Sequence, residues 1–95
     1  MTRQEFVKKM KTQLDKWNAQ IDVMGEKADK VEASMRDEYN KQLETLIAKR
    51  EDARAKLEKL EKASDSAWED LKSGVEMAWR SVSEAVDSAT NRYKF

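Results

Sequence analysis

The apolar residues of this chain fall on one line. Val7, Met10, Leu14, Trp17, Ile21, Met24, Ala28, Val31 and Met35 follow in steps that alternate three and four, the spacing of a helix that buries one seam against a partner helix. Past Met35 the rhythm takes two successive steps of four, through Tyr39 to Leu43, and resumes at Leu46, Arg50, Ala53, Leu57 and Leu60. A second four-four step passes Ser64 to Trp68, followed by Leu71, Val75, Trp79, Val82, Val86, Ala89 and Tyr93. Each double step is a stutter, which locally relaxes a left-handed supercoil without ending the helix. Such a pattern admits only helices.

Two further patterns agree. Thr2 and Glu5 have the spacing of a capping box, with Met1 and Phe6 placed as a hydrophobic staple. In the last third, AWEDLKSGVEM (67–77) is followed by AWRSVSEAVDS (78–88), an eleven-residue repeat that puts Trp68 on Trp79, Leu71 on Val82 and Val75 on Val86. Eleven residues fill three turns, so that stripe runs nearly straight along a helix. Acidic residues stand four before basic ones at 5/9, 26/30, 32/36, 37/41, 52/56, 58/62 and 76/80, the orientation that supports a helix.

Composition decides between a folded and a disordered reading. Charged residues are 40% of the chain and mean hydropathy is −0.96, but 19 basic residues cancel 19 acidic ones and the apolar minority includes three Trp. Disordered charged chains carry net charge and few aromatics. With no proline and two glycines in 95 residues, little interrupts a helix. The chain is expected to form one all-α coiled-coil domain over 1–95.

Where it folds back is a choice among three arrangements. Pairing residue i with 103 − i sets the stutters at Tyr39 and Ser64 opposite each other, with Met24 on Trp79, Trp17 on Val86 and Met35 on Trp68. That register predicts a hairpin of two long antiparallel amphipathic helices, about 3–49 and 53–93, turning near 50–53. A continuous helix in an antiparallel dimer makes the same contacts in swapped form. The third arrangement breaks at 63–66, where Ala63-Ser64-Asp65-Ser66 is the most turn-like stretch and Ser66 with Glu69 repeats the capping-box spacing. Against it, Trp79 would lie beside the Lys49–Asp52 charge run and residues 7–35 would have no partner within the chain. The favoured hairpin predicts a helix-pairing interface of Met10, Leu14, Trp17, Ile21, Met24, Val31, Met35, Leu43, Leu46, Leu57, Leu60, Trp68, Leu71, Val75, Trp79, Val82 and Val86. Two helices cannot cover both sides of their seam, so a homo-oligomer is expected, with Phe6, Val23, Ile47 and Met77 as flanking apolar positions.

The chemistry available is narrow. Without His or Cys there are no disulfides, no thiolate nucleophile and no imidazole for acid–base work or zinc. None of the carboxylates falls on the seam, where burial could shift a pKa toward catalysis. No catalytic residue, metal site or cofactor is expected, and the chain is not read as an enzyme. Lys8, Lys9, Lys11 and Lys16 cluster, but zero net charge gives no stripe for phosphates, and no nucleic-acid partner is expected. The first residues lack the apolar core of a signal peptide, and no run approaches a membrane span, so a cytoplasmic location is expected. A membrane surface remains a competing partner beside protein. The 67–89 repeat has Trp, Val and Ala on one face, like interfacial helices, although residues 66–95 carry four basic and five acidic groups.

The stretches QLDKWNAQID (13–22) and YNKQLETLIAKREDARAKLEKLEKASDSAWEDLKSGVEMAWRSVSEAV (39–86) resemble a family of short bacterial coiled-coil proteins, grouped loosely as stress-response proteins and sometimes described as apolipoprotein-like. The likeness runs from about Phe6 to Ala89, and AWEDLKSGVEMAW (67–79) is its most distinctive part. It implies a bacterial, cytoplasmic helical protein linked to stress, with no catalytic residues to carry over. The functional expectation is a self-associating helical scaffold or interaction protein, with peripheral lipid binding through 67–89 as the alternative.

Overall fold

A computed structural model describes residues 1–93. Three helices occupy nearly all of them: α1 (Arg3–Glu26), α2 (Ala33–Lys62) and α3 (Ala67–Arg92), with a single 3₁₀ turn at Ala28–Lys30 between the first two. The all-helical class is as expected; the two-helix hairpin is not what forms. Residues 50–53, the expected turn, lie in the middle of α2. No glycine or proline interrupts that stretch. Its charges brace a helix instead, with Glu51 bridging Arg50 (3.1 Å) and Arg54 (2.6 Å), Arg54 reaching Glu58 (3.3 Å), and Asp52 holding Lys56 (2.9 Å). The unbroken helix is also replaced, by a chain that folds back twice.

The second break is the one at 63–66. Ser64 is its pivot: its carbonyl accepts from the backbone N–H groups of Ala67 (3.1 Å) and Trp68 (3.2 Å), and its hydroxyl accepts from Ala67 (3.3 Å). Ser66, expected to cap α3, makes no side-chain capping bond. At the other end the Thr2–Glu5 capping box is present, with reciprocal bonds of 3.2 Å. The staple beside it is not made, since Met1 stays 67% exposed while Phe6 is buried against Trp68.

The objection to a 63–66 turn was that it strands residues 7–35, and the first break removes it. At 27–32 the chain reverses, so α1 runs antiparallel to α2, α2 antiparallel to α3, and α1 alongside α3 in the same direction. Ala78 and Ser81 face Lys49 and Asp52 across a small surface hollow, and Trp79 turns to Trp17 on α1. The result is a rod of 51 × 18 × 17 Å, shorter than the 70 Å or so of a hairpin built from 45-residue helices. Three helices enclose what two would leave open. Every buried side chain among the described residues is apolar or an aromatic with a polar tip, and no charged residue is buried.

Candidate interaction surfaces

Three ring pairs mark the levels of the core. Phe6 meets Trp68 with centroids 6.3 Å apart, Trp17 meets Trp79 at 5.6 Å, and Tyr39 meets Tyr93 edge-on at 4.8 Å. The first two bridge α1 and α3; the third bridges α2 and α3. Tilted and edge-on rings suit the aromatic quadrupole. Lys72 lies over the Phe6 ring at 5.5 Å, covering the outer side of that level with a cation.

Polar links fasten α1 at intervals. Arg3 donates to the Ala63 carbonyl (2.5 Å) and to Asp65 (2.8 Å), tying the start of α1 to the second turn. Lys11 pairs with Glu61 at 3.3 Å. Arg50, the one charged residue on the seam, is satisfied by α1: its guanidinium donates to Asn18 on α1 at 3.1 Å and to Glu51 on its own helix at 3.1 Å. The Tyr39 hydroxyl donates to the Met24 carbonyl at 2.5 Å, inside the core. Glu38 pairs with Arg92 between α2 and α3.

Titration behaviour follows from these contacts. The Thr2 backbone N–H, then its hydroxyl, hold Glu5 below the usual carboxylate range. The Arg54 guanidinium does the same for Glu51. Burial, with Tyr93 nearby, pushes the Tyr39 phenol up. Among the described residues no group of three or more His, Cys, Asp or Glu is arranged to hold a metal ion, and no helix is long and apolar enough to cross a membrane.

Of the positions expected to pair helices, Met10, Leu14, Trp17, Ile21, Met24, Val31, Leu46, Leu57, Leu60, Trp68, Val75, Trp79, Val82 and Val86 are buried, and Met35 and Leu43 are partly buried against them. Leu71 is 38% exposed. The contacts differ from the 103 − i register, because Trp79 meets Trp17 rather than Met24, and Trp68 meets Phe6 rather than Met35. Phe6, Tyr39, Ala53, Ala78, Ala89 and Tyr93 join the core as well. The matched eleven-residue intervals, Phe6 to Trp17 and Trp68 to Trp79, could have revealed the parallel pairing of α1 with α3.

α2 and α3 pack along most of their length, whereas α1 rests mainly on α2 and touches α3 at few levels. A cleft of about 560 Å³ therefore opens between the later turns of α1 and α3, lined by Ala19, Gln20, Val23, Met24, Lys27, Ala89, Thr90 and Tyr93. Val23 on its wall is 45% exposed. Elsewhere Ile47 (37%), Leu71 (38%) and Met77 (69%) face outward. No family model, no curated protein and no solved structure matches this chain.

Proposed function

We propose that this chain is a non-enzymatic helical interaction protein that associates with copies of itself. One observation carries this reading. The core is filled without Val23, Ile47, Leu71 and Met77, yet these large apolar side chains stand outside it on all three helices in a chain where 40% of residues are charged. Surface apolar groups of this size lose water favourably when covered, each contributing on the order of 1 kcal/mol for the part still exposed. A link to stress rests on the family resemblance of residues 13–22 and 39–86 alone.

The lipid reading has a different requirement. The Trp68 and Trp79 face of α3 is occupied by Phe6 and Trp17, so a lipid surface would have to displace α1 to reach it. Sedimentation equilibrium and vesicle titration separate the two. Self-association predicts a concentration-dependent rise in mass in plain buffer, with helicity and Trp emission unchanged by vesicles. A monomer at all concentrations, with Trp emission shifting on vesicle addition, would replace this reading by the lipid one.

A further inference from the structure

We propose that the self-association exchanges α1: residues 3–62 straighten into one helix, and α1 of each copy seats in the α2–α3 trough of the other. This rests on the self-association reading and gives it a second route, in which the contacts exchanged are those of α1 while Val23, Ile47, Leu71 and Met77 stay outside the core. The turn at 63–66 is retained, so the species differs from a pair of unbroken helices.

The two turns of the chain are unlike. At 63–66 Ser64 caps the next helix with both hydroxyl and carbonyl. At 27–32 the apolar phase does not slip: Ile21, Met24, Ala28, Val31 and Met35 keep alternating three and four straight through the reversal. Two helices joined by a turn need no common phase, whereas one continuous helix does. The stutter at Tyr39 comes after α2 is under way, and a stutter leaves a helix continuous.

The backbone of the turn carries no helix-stopping device, and its side-chain brace is the Arg36 guanidinium, which donates to the Asp29 (3.3 Å) and Val31 (3.0 Å) carbonyls. Lys27, which ends α1, sits at φ −88°, ψ −1°, and Glu32, which begins α2, makes no side-chain cap. No described residue has positive φ, so the left-handed glycine that commonly stops a helix is absent. Only Val31 (φ −76°, ψ 139°) and Glu32 (φ −54°, ψ 142°) are extended. The largest changes needed to restore helical geometry are at these two ψ angles, with a smaller one at Lys27 (ψ −1°), and Asp29-Lys30-Val31-Glu32-Ala33 contains no residue that resists it.

Exchange preserves what α1 already makes. The Trp17–Trp79 and Phe6–Trp68 pairs, the Arg3–Asp65 and Lys11–Glu61 bridges and the Asn18–Arg50 bond all re-form between copies. The two states differ chiefly at the hinge. Short hinges between intact elements are where exchange of this kind arises.

The test combines crosslinking with a hinge lock. The chain has no cysteine, so Asn18→Cys/Arg50→Cys can be joined by a short bis-maleimide after incubation at high concentration and dilution. Exchange predicts a covalent dimer on a denaturing gel, its fraction rising with incubation concentration. Adding Glu32→Pro suits the closed turn, because φ is −54° at Glu32 and Val31 before it is extended. It opposes the continuous helix and should weaken dimerisation about a hundredfold or more. Each variant is checked for native helicity before crosslinking. A dimer by sedimentation that yields only the intramolecular crosslink overturns the exchange and leaves self-association standing. A monomer at every concentration overturns both.

Discussion

Trp17 and Trp79 lie face to tilted face, centroids 5.6 Å apart and planes at 46°, on helices that run side by side in the same direction. The Trp79 indole N–H is buried with no partner among the described residues. Two effects are therefore opposed at this residue. Trp79→Ala is expected to cost about 3–5 kcal/mol in urea unfolding, through lost burial and a cavity. Trp79→Phe keeps a ring against Trp17 while deleting an orphaned donor whose burial costs about 1–3 kcal/mol, so it should stay within about 1 kcal/mol of the native chain. A loss as large as that of the alanine variant would mean that the N–H has a partner in solution.

Tyr39 gives a pH dependence with a definite sign. Its phenol is pushed up by burial and then by Tyr93, and its proton is the one donated to the Met24 carbonyl. A raised folded-state pKa contributes stability that is fully present below the unfolded value of about 10 and is lost as pH rises through the folded value. The native chain should therefore lose stability above about pH 10 faster than Tyr39→Phe, while at pH 7 the variant is about 1 kcal/mol weaker. Parallel stability curves for the two proteins from pH 8 to 11 would contradict this.

The legibility of the chain divides at its two turns. Ala63-Ser64-Asp65-Ser66 reads as a turn because short polar side chains compete for backbone bonds, and Ser64 does so in the structure. Residues 27–32 carry no such mark, and their unbroken heptad phase argues for a helix; the reversal there is held by Arg36 on the Asp29 and Val31 carbonyls and by the trough that α2 and α3 jointly offer α1. The trough is a tertiary cause invisible to local pattern. Without the first turn, a 63–66 break strands α1, and the symmetric hairpin looks better than it is. The seam itself was legible because burial follows periodicity, whether two helices or three share the core. The outward-facing set was legible in part: Val23, Ile47 and Met77 read as flanking positions, while Phe6 was drawn inward by Trp68.

Arg3 is a clamp whose strength lies in one of its two bonds. Its guanidinium donates to the part-buried Ala63 carbonyl and to Asp65, whose side chain is fully exposed. An exposed ion pair contributes at most about 1 kcal/mol, whereas a charged donor on a carbonyl contributes about 1.5–3. Asp65→Asn should thus cost under about 0.5 kcal/mol and Arg3→Ala about 1–2, measured by thermal or urea unfolding. Equal costs would place the weight on the ion pair instead.

Leu71 and Leu57 test the seam where pattern and structure part. Both occupy apolar positions in the periodic reading, and a two-helix seam would make them equivalent. In the three-helix core Leu57 is 2% exposed and Leu71 is 38% exposed, while Trp68 and Val75 on either side of it are buried and Lys72 beside it lies over the Phe6 ring. Truncation removes only the contacts that exist, so Leu57→Ala should cost about 2–5 kcal/mol and Leu71→Ala about 1–1.5. Leu71→Lys should fold as well as Leu71→Ala, and if Leu71 contributes to self-association it should also lower the mass seen at high concentration. A Leu71→Ala loss matching that of Leu57→Ala in the monomer range would mean that the two-helix seam describes the solution state better than the three-helix bundle.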